Sequence, residues 1–155
     1  ASNTSAAAGG SVRKTSARST ARATGVDAAS SGINWAWPVN GPIKQTFRSG
    51  DRTRQGVRIG VGEGTPVAAA ADGTVVYSGS GLKGYGNLII VKHNASYLSA
   101  YGFNRELLAR EGERVKRGQR VAVAGRAANG EGLLHFEIRR NGVAVDPVRF
   151  LPPSR

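Results

Sequence analysis

The stretch Gly132-Leu133-Leu134-His135-Phe136-Glu137-Ile138-Arg139 decides the fold. Its residues alternate with a period of two. Leu134, Phe136 and Ile138 point one way, and Leu133, His135 and Glu137 the other. The first set is wholly apolar and is expected to face a core. The second set is then expected on the accessible face of a half-buried strand. Taken alone, one histidine on such a strand is more often structural than a ligand. The strand has a clear end: Asn141-Gly142, between Ile138 and Val143, is the signature of a type I′ hairpin turn.

Working outward, short strand patterns recur along the chain. They span residues 56–61, 66–70, 73–77, 87–93, 97–101 and 121–124. Glycine-containing turns separate most of them, at Gly62-Glu63-Gly64, Asp72-Gly73 and Gly79-Ser80-Gly81. Trp35 and Trp37 alternate as in a further strand, ended by Pro38, and Gly41 to Phe47 reads as another. Between Asn104 and Glu111 the pattern turns helical or irregular. Many short strands without a convincing long helix predict an all-β, mostly antiparallel fold.

Residues 1–33 differ in kind. They are mostly Ala, Ser, Thr, Gly and Arg, with Val12 and Val26 the only branched aliphatics before Ile33. Such a segment cannot bury enough apolar surface to offset its ordering entropy, and a linker is expected. The folded domain is expected over 34–155. No signal peptide opens the chain, which starts in mid-linker, so a longer parent is expected.

The 155 residues carry a formal charge of +12, of which +3 falls in the linker and +9 in the domain. Nucleic acid, acidic proteins or anionic envelope polymers are all compatible partners for such a chain. No nucleic-acid motif accompanies the charge. There is no cysteine, which excludes disulfides and thiolate metal sites. No apolar run is long enough to span a membrane.

Six motifs in fixed order give the chain a family resemblance. They are Gly64-Thr65-Pro66-Val67, Asp72-Gly73-Thr74-Val75-Val76, Gly84-Tyr85-Gly86-Asn87, Val91-Lys92-His93, Leu134-His135-Phe136-Glu137-Ile138-Arg139 and Val145-Asp146-Pro147. Together they resemble the LytM, or lysostaphin-like, zinc metallopeptidase domain, over roughly residues 34–152. Within that family, Gly84 to Asn94 and Tyr97-Leu98-Ser99-Ala100-Tyr101 look most like the NlpD/EnvC branch of cell-division proteins.

Active members of the family cut peptide cross-links in peptidoglycan. They hold zinc with a His-x-x-x-Asp pair and the second His of a His-x-His strand. A Tyr-x-His histidine and the first His of His-x-His assist. The resemblance puts the His-x-x-x-Asp slots on Arg54 and Arg58, the Tyr-x-His slot on Phe103 after Tyr101, and the first His of His-x-His on Leu133. Only His135 remains, and His93 belongs to another motif. Arginine has no lone pair to offer a metal and brings a positive charge, so no zinc and no other cofactor is expected. Neither Phe103 nor Leu133 can move a proton.

The resemblance therefore implies a peptidase fold without catalysis, whose groove is lined by Arg54, Arg58, Tyr101, Phe103, Leu133, His135 and Glu137. Arginine and aromatic anchors beside apolar neighbours suit a protein-binding surface. For the NlpD/EnvC type the implied partner is a periplasmic N-acetylmuramoyl-L-alanine amidase, activated for septal peptidoglycan splitting. The full-length protein is implied to be an outer-membrane lipoprotein. Two alternatives stay open. One is a peptidoglycan-binding module using Arg114, Lys116, Arg117 and Arg120. The other is a residual metallopeptidase with ligands from elsewhere.

Overall fold

The computed structural model describes residues 28–153. Most of the expected linker, residues 1–27, thus lies outside the described residues. Among the described residues ten strands form one sheet. They are β1 (Ile43–Gln45), β2 (Val57–Gly60), β3 (Pro66–Ala68), β4 (Gly73–Gly79), β5 (Asn87–Lys92), β6 (Tyr97–Leu107), β7 (Arg114–Val115), β8 (Arg120–Arg126), β9 (Gly132–Arg140) and β10 (Val143–Val145). The order is β1-β2-β9-β8-β6-β5-β4-β7, with β3 on β8 and β10 on β9. Every pairing is antiparallel. Among the described residues helix is confined to one turn at Ala28–Ser31 and a 3-10 turn at Pro147–Arg149. The expected all-β antiparallel class is therefore the observed one.

Of the described residues, 28–34 and 148–153 group apart from 35–147. In the smaller unit the amide of Gly32 (φ 72°) closes the helical turn onto Ala29 O, and Phe150 and Leu151 are buried. The larger unit holds the sheet.

The quoted stretch is β9, and it lies at the centre. It alone makes four ladders among the described strands, with β2, β6, β8 and β10. Leu134, Phe136 and Ile138 are fully buried, as expected, with Phe136 opposite both Val57 and Tyr101. The other face departs from expectation. Leu133, His135 and Glu137 are 2, 6 and 1% exposed, so this face is covered rather than accessible. Alternation reveals which residues share a face but not what roofs it. Here the roof is made by side chains of the flanking strands and loops.

The tight turn after β9 is as expected. Asn141 and Gly142 both have positive φ, 51° and 83°, the geometry a type I′ turn demands. Two other segments differ. Residues 104–107 continue β6 instead of turning helical, because β8 supplies ladder partners to Asn104, Glu106 and Leu107. Tertiary pairing here overrides a helix-prone local composition. Trp35 to Pro38 is not a strand. It makes single backbone bonds, Ala36 N–H to Ala70 O and Ala68 N–H to Pro38 O, and buries Trp35.

Trp35 packs edge-on against His93, with ring centroids 5.0 Å apart. His93 ends a largely buried hydrogen-bond chain. Ala70 N–H donates to Tyr101 Oη (2.9 Å), Tyr101 Oη and Ser99 Oγ share a hydrogen bond (2.6 Å), and Ser99 Oγ pairs with His93 Nε2 (2.8 Å). Nδ1–H then donates to Asp72 O (2.7 Å). A neutral imidazole fits this chain, with Nδ1–H as donor and Nε2 as acceptor. Burial pushes His93 below its ordinary 6.5, and raises Tyr101 to about 12. The unfolded chain therefore binds a proton at His93 that the folded chain resists. Stability is full above about pH 6.5 and falls as the pH drops through that value toward the folded pKa. Melting temperature should fall between pH 7.5 and pH 5.5, and His93→Gln should flatten that slope. An unchanged slope in the variant would exclude His93 as its source.

Candidate functional site

The second face of β9 floors a cavity of about 310 Å³. Its lining includes Arg58, Phe103, His135 and Glu137 from the expected set, together with Arg52, Gln55, Lys83 and Tyr85. The ladder explains the convergence. His135 lies opposite Arg58 of β2 on one side and Gly102 of β6 on the other. Cross-strand partners share a face. Gly102 leaves room for the loop above it: an added Cβ would stand 3.2 Å from Tyr85 O and 3.6 Å from His135 Cβ. Phe103 N–H holds that loop by donating to Tyr85 O at 2.8 Å.

Phe103 reaches the cavity through an unusual backbone. Its φ is 64°, a left-handed conformation that costs a bulky L-residue about 1–2 kcal/mol. The β6 ladders slip here: Tyr101 and Asn104 face Ile89 and Asn87, three residues against two. The bulge breaks the alternation, and Tyr101 and Phe103 therefore do not share a face. The Phe103 ring stands 5.9 Å from the His135 ring, with the Arg58 guanidinium 5.1 Å from its centroid. Tyr101 is wholly buried on the core side against Phe136, 5.3 Å between centroids. Its expected place in the groove is corrected accordingly.

Arg54 is also elsewhere. It precedes β2 rather than lying in it. Its guanidinium turns to Thr46, donating to the carbonyl at 2.9 Å and the hydroxyl at 2.7 Å. The even spacing of residues 54, 56 and 58 places them on one face only if the strand extends that far, and it starts at Val57. Leu133 lies opposite Gly60 and Gly125, shut in and absent from the cavity lining.

Glu137 organises the floor. Its Oε2 accepts from His135 Nε2 at 2.7 Å and from Tyr85 Oη at 2.9 Å, and its Oε1 accepts from Arg139 Nε at 2.8 Å. Burial alone would raise its pKa, but the His135 and Arg139 contacts outweigh this and hold it below the ordinary 4.5. Burial, and then the Glu137 charge, raise Tyr85 above 10.0. Arg139 also reaches Gln55 Oε1 at 2.7 Å. The Glu137 carboxylate is thus fully engaged.

Two buried nitrogens at the site have no hydrogen-bond partner, Arg58 Nε and His135 Nδ1. Gln45, the cross-strand neighbour of Arg58, carries an unpartnered buried acceptor, Oε1, that does not reach Arg58 Nε. Among the described residues, no group of three or more His, Cys, Asp and Glu side chains is placed to hold a metal ion.

The family pattern of peptidase family M23 matches residues 52–147, well over half of the chain. The chain belongs to peptidase family M23. An M23 relative from Pseudomonas aeruginosa, described as "Lipoprotein NlpD/LppB homolog", is 52% identical over 76% of this chain and 40% of its own length. "Murein hydrolase activator NlpD" of Escherichia coli strain K12 is 47% identical over 76% of this chain and 31% of its own. The chain thus spans less than half the length of either relative. Among solved M23 structures, the catalytic domain of lysostaphin from Staphylococcus simulans superposes with a TM-score of 0.60 and 27% identity, over 71% of this chain and 89% of that one.

Arg52, Gln55, Lys83, Tyr85 and Arg139 were not among the expected site residues. Tyr85 sits in the quoted Gly84-Tyr85-Gly86-Asn87 motif, and an aromatic flanked by two glycines in a loop was the available signal. Nothing in the sequence marked Arg52 and Lys83 off from the other basic residues.

Proposed function

We propose that this M23 domain is a non-catalytic activator. It docks through the cavity over β9 onto an N-acetylmuramoyl-L-alanine amidase and so promotes septal peptidoglycan splitting in cell division. The observation that carries this reading is the pairing of Arg58 with His135 across the β2–β9 ladder, beneath Phe103. A zinc centre needs three protein ligands with lone pairs. Here the site holds one imidazole, His135, opposite Arg58 in the ladder and 5.9 Å from the Phe103 ring. Glu137 is held by three other donors, and Arg54 is turned toward Thr46. This donor set does not fit zinc. The name of the Escherichia coli relative, a murein hydrolase activator, points the same way.

Activation would be a population shift. The groove captures an amidase element that otherwise occludes the amidase active site, and all chemistry stays with the amidase. Residues 1–33 would be the linker to an upstream part, in a periplasmic protein anchored to the outer membrane as a lipoprotein. The alternative reading, a peptidoglycan-binding module, has one feature in its favour. Arg114, Lys116, Arg117 and Arg120 are all exposed, and Arg117 N–H is pinned to Asp72 Oδ1 at 2.7 Å.

The test is dye release from labelled peptidoglycan. The domain alone should release no dye, and a purified amidase should release several-fold more with the domain than without it. After exposure to zinc and dialysis, the protein should retain well below one equivalent. A tightly held equivalent, or dye release by the domain alone, would overturn this reading. Arg117→Glu separates the alternative: it should weaken sedimentation with peptidoglycan, if anything, and leave amidase activation intact.

A further inference from the structure

The cavity has a strongly one-sided charge. Arg52, Arg58 and Lys83 line it, and none of the three has an ion-pair partner among the described residues. The single acid in the lining, Glu137, is neutralised from behind by Arg139. Arg58 adds a more specific sign. Its Nε is buried out of a partner's reach, and neither terminal Nη group makes a hydrogen bond or ion pair among the described residues, which leaves them free toward the cavity. Phe103, itself in a strained backbone, fixes the guanidinium plane from one side. A guanidinium held over a ring with both Nη groups unused is matched best by a planar carboxylate, which accepts from the two Nη–H in a bidentate manner.

A second, apolar pocket of about 200 Å³ adjoins the first. Leu82, Leu88, Ile90, Leu98 and Ala100 line it, and Tyr85 and Glu137 line both pockets. Tyr85 is the partition. Its hydroxyl is fixed to Glu137 and its carbonyl to Phe103 N–H, so the two compartments keep their separation. Leu82 is 44% exposed at the mouth of the apolar one.

We propose that the partner element presents an Asp or Glu side chain to Arg58 in the first pocket and a neighbouring aliphatic side chain to the second. The partner for which this chemistry is inferred rests on the function proposed above; the chemistry itself rests on the pockets. Charge complementarity selects an acidic segment over a neutral one, and the partition by Tyr85 sets an aliphatic residue beside the acid.

Two measurements test the inference independently of each other. In the first, the Arg58 Nε–H resonance of the isotopically labelled domain is followed by NMR during titration with the acetylated, amidated dipeptide Glu-Leu. A saturable shift is expected. The Gln-Leu and Glu-Ser dipeptides should each bind at least threefold more weakly. Equal affinity for Glu-Leu and Gln-Leu overturns the carboxylate. Equal affinity for Glu-Leu and Glu-Ser overturns the aliphatic neighbour.

In the second, Arg58→Gln and Arg58→Lys are compared with the parent for amidase binding at 50 and 300 mM NaCl. Arg58→Gln should bind at least tenfold more weakly at low salt and lose most of the salt dependence, while Arg58→Lys should recover part of both. If the parent activates an amidase and Arg58→Gln binds it equally well, the inference fails and the activator function stands. If Glu-Leu binds selectively but no amidase is bound, the activator function fails and the pocket chemistry stands.

Discussion

Arg58→Glu should abolish most amidase activation while leaving the fold intact. Arg58 lies only partly buried at the cavity, and it makes no ion pair among the described residues whose loss would unfold the domain. The new carboxylate would instead face His135 and the rim of Arg52 and Lys83. Truncating a well-packed interface anchor costs about 2 kcal/mol or more, and charge reversal adds repulsion to an acidic partner. About 1.4 kcal/mol is tenfold in affinity, so activation at limiting domain should fall more than tenfold. Dye release by a purified amidase gives the readout, with circular dichroism confirming the fold. Full activation by a folded Arg58→Glu protein would move the docking site to another surface.

A large loss of stability should come from Glu137→Ala. The substitution removes the shared acceptor of His135, Tyr85 and Arg139 from a site 1% exposed. Breaking a buried ion pair costs about 3–5 kcal/mol. The figure here should be about 3, because Arg139 keeps a quarter of its side chain in solvent and a bond to Gln55. For a domain of this size that lowers the melting temperature by about 10 °C. Glu137→Gln retains the shape and part of the hydrogen bonding, and should fall between alanine and the parent. A shift of less than about 2 °C for Glu137→Ala would mean that the floor of the cavity does not depend on this carboxylate. Leu133→Lys belongs in the same class: Leu133 is shut between Gly60 and Gly125, so a lysine there should unfold the protein rather than probe the groove.

Local pattern revealed what local physics controls. The alternation of β9, the Asn141-Gly142 turn and the short strands follow from side-chain periodicity and turn chemistry, and all but the expected strand at Trp35 and Trp37 are present. The candidate site was legible at Arg58, Phe103, His135 and Glu137, which line the cavity. Tyr101 and Arg54 were misplaced for separate reasons. A left-handed residue at Phe103 reverses the facing of its neighbours, and phenylalanine gives no hint of that conformation as a glycine would. Arg54 lies three residues before the first residue of β2, where strand periodicity no longer applies. The covered second face of β9 depends on a loop some fifty residues upstream, and no pattern within the strand encodes it.

The short outer strands have a consequence for the manner of docking. The sheet ends on β1, with three residues, and β7, with two; β3 and β10, each of three residues, add only stubs at its sides. Among the described residues these short strands offer an extended peptide few free amides and carbonyls in a row. The same brevity protects the domain from stacking edge to edge with its own copies. Under the proposed function, a partner would therefore be read by the side chains that it lowers into the pockets, which favours a helix or turn that has already satisfied its own backbone. A blocking peptide would need to be locked into such a shape, since a linear strand mimic would have no edge on which to lie.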